Sequence, residues 1–229
     1  MDGCRAGWIA IAFDESGYSH LVTATIADVA RLYPSGLVLV DIPIGLRDTE
    51  RDERRCDLEA RGVLGPRASS VFPAPCRAAL GLATYREASD ENHRRTGRRL
   101  SKQSFSIAPR VLDVEEYLRR SWASGPVIRE MHPEVCFWAL AGRPMLHSKR
   151  TIEGAAERIA VLTRHLPSAV AIVDEVTRAH PKTALGRDDV IDALAGAVTA
   201  RLGATGLKTL PAVPERDRRN LRMEIVYAG

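Results

Sequence analysis

The sequence predicts an α/β fold built on a mixed sheet, and three observations predict it. Two strand-like runs, over 8–13 and 18–25, flank the turn Asp14-Glu15-Ser16-Gly17, which is the pattern of a hairpin. The run Leu37-Val38-Leu39-Val40 is apolar on both faces and ends in Asp41, as a buried central strand would. Residues 188–202 form the clearest helical pattern in the chain. There Val190, Ala193, Leu194, Ala197, Val198 and Ala200 fill more than one face, which suits a helix buried against a sheet. Hairpin, helix, buried strand, further helices and a last strand, in that order, define the class.

The elements follow in sequence. After the hairpin, Ile26, Val29, Ala30 and Tyr33 recur at helical spacing, and Pro34-Ser35-Gly36 ends that helix. The central strand spans 36–42. A charge-dense helix is expected over 49–61. Residues 65–75 (Gly-Pro-Arg-Ala-Ser-Ser-Val-Phe-Pro-Ala-Pro) are expected to be irregular, because their prolines and glycine break regular elements. Helical patterns return over 85–95 and 111–122, the second with Val111, Val114, Tyr117 and Leu118 on one side. Gly125-Pro126 interrupts, residues 127–132 alternate like a strand, and Pro133-Glu134 opens a helix through 140. Ile152, Ala156, Ile159, Ala160 and Leu162 mark an amphipathic helix over 152–165, and 221–227 reads as the final strand. No internal repeat divides the chain. A single domain over 1–229 is expected, with a helical, loop-rich insertion at about 48–125.

Composition narrows the function classes. The chain has 229 residues, 45% of them hydrophobic, enough for one sizeable core. No stretch approaches the roughly 20 apolar residues that a membrane span needs, and the N-terminus shows no charged-then-apolar signal pattern. A cytoplasmic protein is therefore expected. Cys4, Cys56, Cys76 and Cys136 are scattered with no Cys-x-x-Cys spacing, which favours reduced thiols over a structural zinc site or disulfides. The net charge is +4 and the pI about 9.0. Of 33 basic residues only Lys102, Lys149, Lys182 and Lys208 are lysine. Arginine suits bidentate phosphate contacts, although a GC-rich genome favours arginine whatever the function. Aromatic residues, at 5%, are too few for a single-strand stacking platform.

Three acidic segments stand apart. An acid at the border of a core must be paired or metal-bound, and several converging would make an all-oxygen site suited to Mg²⁺ or Mn²⁺. In Asp2-Gly3-Cys4-Arg5-Ala6-Gly7-Trp8 the glycines permit tight turning beside Asp2, or the segment is an ordinary N-terminal turn. Asp41 leaves the central strand into Ile42-Pro43-Ile44-Gly45, at the strand end where open α/β sheets bind ligands. A helix-capping aspartate is the plainer explanation. Asp188, Asp189 and Asp192 open the last helix, and favourable interaction with its dipole accounts for one of them more easily than for three. Asp188 or Asp189 is expected as a ligand, with Asp192 in support. His132-Pro133-Glu134 sets another acid at a strand end, able to bind a second metal, to activate water, or merely to complement a helix N-terminus. The loops Ser69-Ser70 and Ser148-Lys149-Arg150-Thr151 offer phosphate contacts or plain solvation. No P-loop and no Ser-His-Asp arrangement is present.

Taken together and in order, Asp2-Gly3-Cys4-Arg5-Ala6-Gly7-Trp8, Asp41-Ile42-Pro43-Ile44-Gly45-Leu46, the 69–75 segment, His132-Pro133-Glu134-Val135-Cys136-Phe137, the 148–151 segment and Asp188-Asp189-Val190-Ile191-Asp192-Ala193-Leu194 carry a resemblance. The chain resembles the DUF429 family of predicted ribonuclease-H-like nucleases. That resemblance implies a five-stranded mixed sheet with its first three strands antiparallel and helices on both faces. It also implies an acidic site of Asp2, Asp41, Glu134 and Asp189, with Asp188 beside it. The expected activity is metal-dependent hydrolysis of nucleic-acid phosphodiesters, with Arg5, Arg67, Ser70, Lys149 and Arg150 contacting the DNA, RNA or hybrid. Two rivals remain. One is a non-catalytic nucleic-acid- or protein-binding module. The other is an ATP-dependent phosphotransferase, disfavoured because the chain has no second lobe and no second Asp-Gly-Gly turn.

Overall fold

The structure, a computed structural model, describes residues 1–49, 51–121 and 125–229. Strands β1 (Asp2–Cys4), β2 (Gly7–Asp14) and β3 (Gly17–Thr23) form an antiparallel sheet in that order. The hairpin is in place, with Asp14 opposite Gly17 and Trp8 opposite Thr23. The Asp2 segment, expected as a turn, is instead a strand, with Asp2 opposite Ile9 and Cys4 opposite Gly7. Helix α1 (Ile26–Leu32) follows, its Thr25 cap accepting from the Asp28 N–H. Strand β4 (Leu37–Val40) is parallel to β5 (Val127–Glu130), Val40 facing Glu130. Met1 bridges the two sheets: its ammonium donates to the Leu39 carbonyl at 2.8 Å, and the Asp41 N–H donates to the Met1 carbonyl at 3.1 Å.

Between β4 and β5 lie α2 (Arg55–Leu64), α3 (Tyr85–Thr96) and α4 (Lys102–Arg120). Helix α2 begins later than the expected 49, because Arg54 is extended and turns its guanidinium into the interior. Part of the expected irregular stretch is a short 3₁₀ helix, Gly65–Ser70, with Pro66 in its first turn. Helix α4 starts well before the expected 111. Pro109 hid its first half, although Ser101 caps it by accepting from the Ser104 N–H. Trp122, the expected end of that helix, lies outside the described residues. Then come α5 (Pro133–Ala141), α6 (Ile152–His165), α7 (Ala169–Ala179) and α8 (Arg187–Leu202), making eight α-helices among the described residues. The chain ends in the antiparallel pair β6 (Lys208–Arg216) and β7 (Arg222–Tyr227). Glu224 of β7 binds Arg129 of β5 through two contacts of 2.9 Å.

Strand alternation sorts side chains onto two faces. Ile9, Ile11 and Leu39 join Ala193, Leu194 and Ala197 of α8 in one core. Trp8, Ala10, Val38 and Val40 join Ile26 and Val29 of α1 and Val111 and Val114 of α4 in another. Asp113 clamps that second layer, accepting from Trp8 Nε1 and from the Ile26 N–H at 2.9 Å each. A third core sets α2 against α5, β6 and β7 through Ala60, Leu64, Val135 and Met223. A fully buried side chain of this kind contributes about 1.5–3 kcal/mol. All four cysteines are free and buried. No helix among the described residues is long and apolar enough to cross a membrane.

Candidate active site

Helix α8 is buried almost all round from Val190 to Thr199. Its interior includes a carboxylate, Asp192, 1% exposed. A charge in that position costs free energy unless it is compensated. Compensation comes from the loop before α6, where Lys149 Nζ lies 2.6 Å from Asp192 Oδ2. The Asp192 side chain is 2% exposed and that of Lys149 is 43% exposed, so the lysine arches in from solvent onto a fixed acid.

Asp2, from β1, and Asp41, just past β4, share this electrostatic neighbourhood. Burial, then the charges of Asp41 and Asp192, hold the Asp2 carboxyl well above the usual carboxylate range. Burial is also the largest influence on Asp192. Lys149 opposes it, Asp41 and Glu134 reinforce it, and the carboxyl is pushed up to about 6. For Lys149, burial works to lower the pKa, but the charge and hydrogen bond of Asp192, with Asp2 and Asp41 behind, raise it above the ordinary lysine value. Carboxyls raised by burial and by one another's charge cluster at functional sites.

A cleft of about 530 Å³ opens over the ends of β4 and β5, and Asp41, Glu134, Lys149, Arg150 and Asp192 line it. Glu134, in the first turn of α5, is paired on Oε1 with the buried Arg158 of α6. Its Oε2 is buried without a hydrogen-bond partner. His132 caps α5, its Nδ1 accepting from the Glu134 N–H at 3.2 Å. Arg67 and Ser70 line the same cleft. Arg67 donates to the carbonyls of Met145 and Leu146 at 3.0 and 2.6 Å, and Ser70 Oγ donates to the Arg67 carbonyl at 2.8 Å.

The other expected residues stand further off. Asp189 does not line the cleft. Its Oδ2 accepts from the Gly186 N–H at 2.9 Å, and burial raises its carboxyl against that bond. Asp188 is exposed, beside a neighbouring hollow that also touches Arg158 and Arg187. Arg5 donates to the Lys182 carbonyl at 2.5 Å, and its charge acts on Asp189. Asp192, expected only in support, is the α8 acid that reaches the cleft.

A second buried charge network, not evident in the sequence, lies in the cleft wall. Arg54 binds Glu130 at 2.7 and 2.8 Å and Asp57 at 2.5 and 3.0 Å, all three nearly inaccessible. Burial pushes Glu130 up to about 7 against the pull of Arg54. The three-residue step from Arg54 to Asp57 was a local signal; the link to Glu130 had none.

Among the described residues no three His, Cys, Asp or Glu side chains form a ready-made metal site. The donor chemistry nonetheless suits a hard divalent cation, since Asp2, Asp41 and Asp192 offer only oxygen. The Asp41 carboxylate has no hydrogen bond or ion pair among the described residues.

Fold and cleft define a mixed α/β protein with an acidic, arginine-bordered site. A family model described as "Protein of unknown function (DUF429)" matches residues 1–216. The chain belongs to that family. No curated protein and no solved structure matches it.

Proposed function

We propose that the chain is a metal-dependent nuclease of ribonuclease-H-like architecture, acting in the cytoplasm on nucleic-acid phosphodiester bonds. The observation that carries this reading is that Asp41 and Asp192 line one cleft, with Asp2 near enough for the three charges, from distant parts of the chain, to act on one another. The architecture is supported by the two Met1 hydrogen bonds, which have the alternation of a parallel pair and would join the strands in the order β3-β2-β1-β4-β5. In that order the first three strands are antiparallel and the acids lie at one end of the sheet.

Asp2, Asp41 and Asp192 would hold Mg²⁺ or Mn²⁺, with Asp189 and Glu134 contributing negative potential. Bound there, a divalent cation supplies Lewis acidity to water and to the scissile phosphate. The remaining work falls to the protein. Glu134 Oε2, buried and unpartnered, would accept the proton of the attacking water. Lys149, Arg150 and Arg67 would hold phosphate oxygens at the cleft mouth, and the Ser70 hydroxyl would orient one of them by turning its proton from the Arg67 carbonyl. Arg158 keeps Glu134 in position through its other oxygen.

One specific feature favours a second reading, a module that binds nucleic acid without cutting it: Lys149 already neutralises part of the acidic group. Cleavage assays on DNA, RNA and hybrid with Mn²⁺ separate the two. The nuclease reading expects turnover that falls at least 100-fold in Asp41→Ala, with melting temperature held within a few degrees. Unchanged turnover in that variant would reject the site. Metal-independent binding without cleavage of any substrate would establish the module.

A further inference from the structure

We propose that Lys149 is a built-in counter-cation: it occupies the carboxylate group in place of a divalent ion, leaves when that ion enters, and then engages a nucleic-acid phosphate. This inference rests on the metal-site reading above and adds a coupling between cation entry and substrate binding.

Three observations carry it. Lys149 Nζ sits on Asp192 at 2.6 Å, and the lysine is part-exposed where its partner is sealed in, so only the lysine is free to leave. It stems from the 148–151 loop at the lip shared by the main cleft and the hollow beside α8. Its nearest alternative positions are therefore in open space that a phosphate backbone would fill. Glu134, 8% exposed in its side chain, leaves Oε2 unpartnered in the same cleft wall, and its charge acts on Asp192. Glu134 is balanced by Arg158, whereas among the described residues the ion pair of the Asp2, Asp41 and Asp192 group is that of Lys149 with Asp192, and the Met1 ammonium acts on Asp2 and Asp41 only through its charge, so three acids stand against two cationic groups. A doubly charged ion matches that surplus better than one lysine does. A released Lys149 would in turn meet a phosphate as a point charge.

The test measures cation binding directly, by the loss of the free Mn²⁺ electron paramagnetic resonance signal, in the wild type, Lys149→Met and Lys149→Arg. Lys149→Met, freed of the competitor, is expected to bind Mn²⁺ about tenfold more tightly, with Lys149→Arg close to the wild type. With Ca²⁺ and uncleaved nucleic acid, Lys149→Met should bind about tenfold more weakly, and its dependence on log salt should be shallower by about one. If the wild type binds Mn²⁺ and Lys149→Met binds it no better, the counter-cation role falls while the metal site stands. If neither binds Mn²⁺ at millimolar concentration, both fall. A wild-type measurement covers the case of a variant that fails to fold. After reductive ¹³C-methylation of the lysines, Mg²⁺ should shift the Lys149 resonance, assigned by its loss in Lys149→Arg, and an unmoved resonance overturns the proposal.

Discussion

Arg158 is 1% exposed and answers Glu134, itself a buried acid. Its Nη1 donates to the Gly154 and His147 carbonyls at 2.9 and 3.1 Å, so one guanidinium joins α5, α6 and the loop between them. Replacing Arg158 by Met would strand the Glu134 charge in the interior. The expected cost is about 3–5 kcal/mol in urea unfolding, and Glu134→Gln in the same chain should recover much of it. Asp41 and Glu134 could be singled out at this scale because each follows a strand-like run directly. Arg158 could not, since within the pattern over 152–165 it is one polar residue among several. The sequence offered Lys149 as a phosphate contact or a solvated loop residue, and its pairing with Asp192 had no local signal because the two lie 43 positions apart.

The 148–151 loop depends on one glycine at the start of α6. Thr151 caps that helix, its hydroxyl accepting from the Gly154 N–H at 3.0 Å. The Ser148 carbonyl accepts from the Thr151 N–H at 3.0 Å. A Cβ on Gly154 would lie 1.8 Å from the Ser148 oxygen, which is backbone and cannot rotate away. Gly154→Ala should therefore displace the loop that carries Lys149. We expect a stability loss of about 1–3 kcal/mol, together with weaker nucleic-acid binding, while the far-ultraviolet circular dichroism stays that of the wild type. Retained binding would show that the loop has no part in the site. Element boundaries were legible wherever periodicity ran uninterrupted, as in α6 and α8. They failed at proline: Pro109 concealed the start of α4, and Pro211 and Pro214 concealed β6. The two prolines of β6 fall between its paired residues Leu210 and Glu215, where the ladder shifts register and their missing N–H groups cost no bond. Helix α7 went unread although Ile172, Val173 and Val176 repeat at helical spacing.

Across the whole molecule the acidic group ties stability to pH and to cations. Asp192 rises from an ordinary 3.8 to about 6 in the folded protein. Its contribution to stability is thus fully present below pH 4 and is lost as pH rises through 6. Asp2 and Glu130 are raised in the same direction. Without divalent ions stability should fall between pH 4 and 7, by up to about 3 kcal/mol for a two-unit shift, and the melting temperature by several degrees with it. A flat profile would mean that neither burial nor the neighbouring charges raise these carboxyls. Under the proposed function, Mn²⁺ at 100 times its dissociation constant should restore about 2.7 kcal/mol at pH 8 and little at pH 5, where the ligands hold protons.

The sequence by itself determined the α/β class, the hairpin, the buried β4 with Asp41 at its end, and the broad apolar faces of α8. These follow from the periods of strand and helix, which are properties of neighbouring residues. Only the tertiary structure decided that Met1 hydrogen-bonds to Leu39 and Asp41, that Asp192 is the α8 acid at the cleft, and that Lys149 answers it. Those outcomes depend on which faces meet across long stretches of chain, and no local pattern records the distance between two side chains brought together by packing.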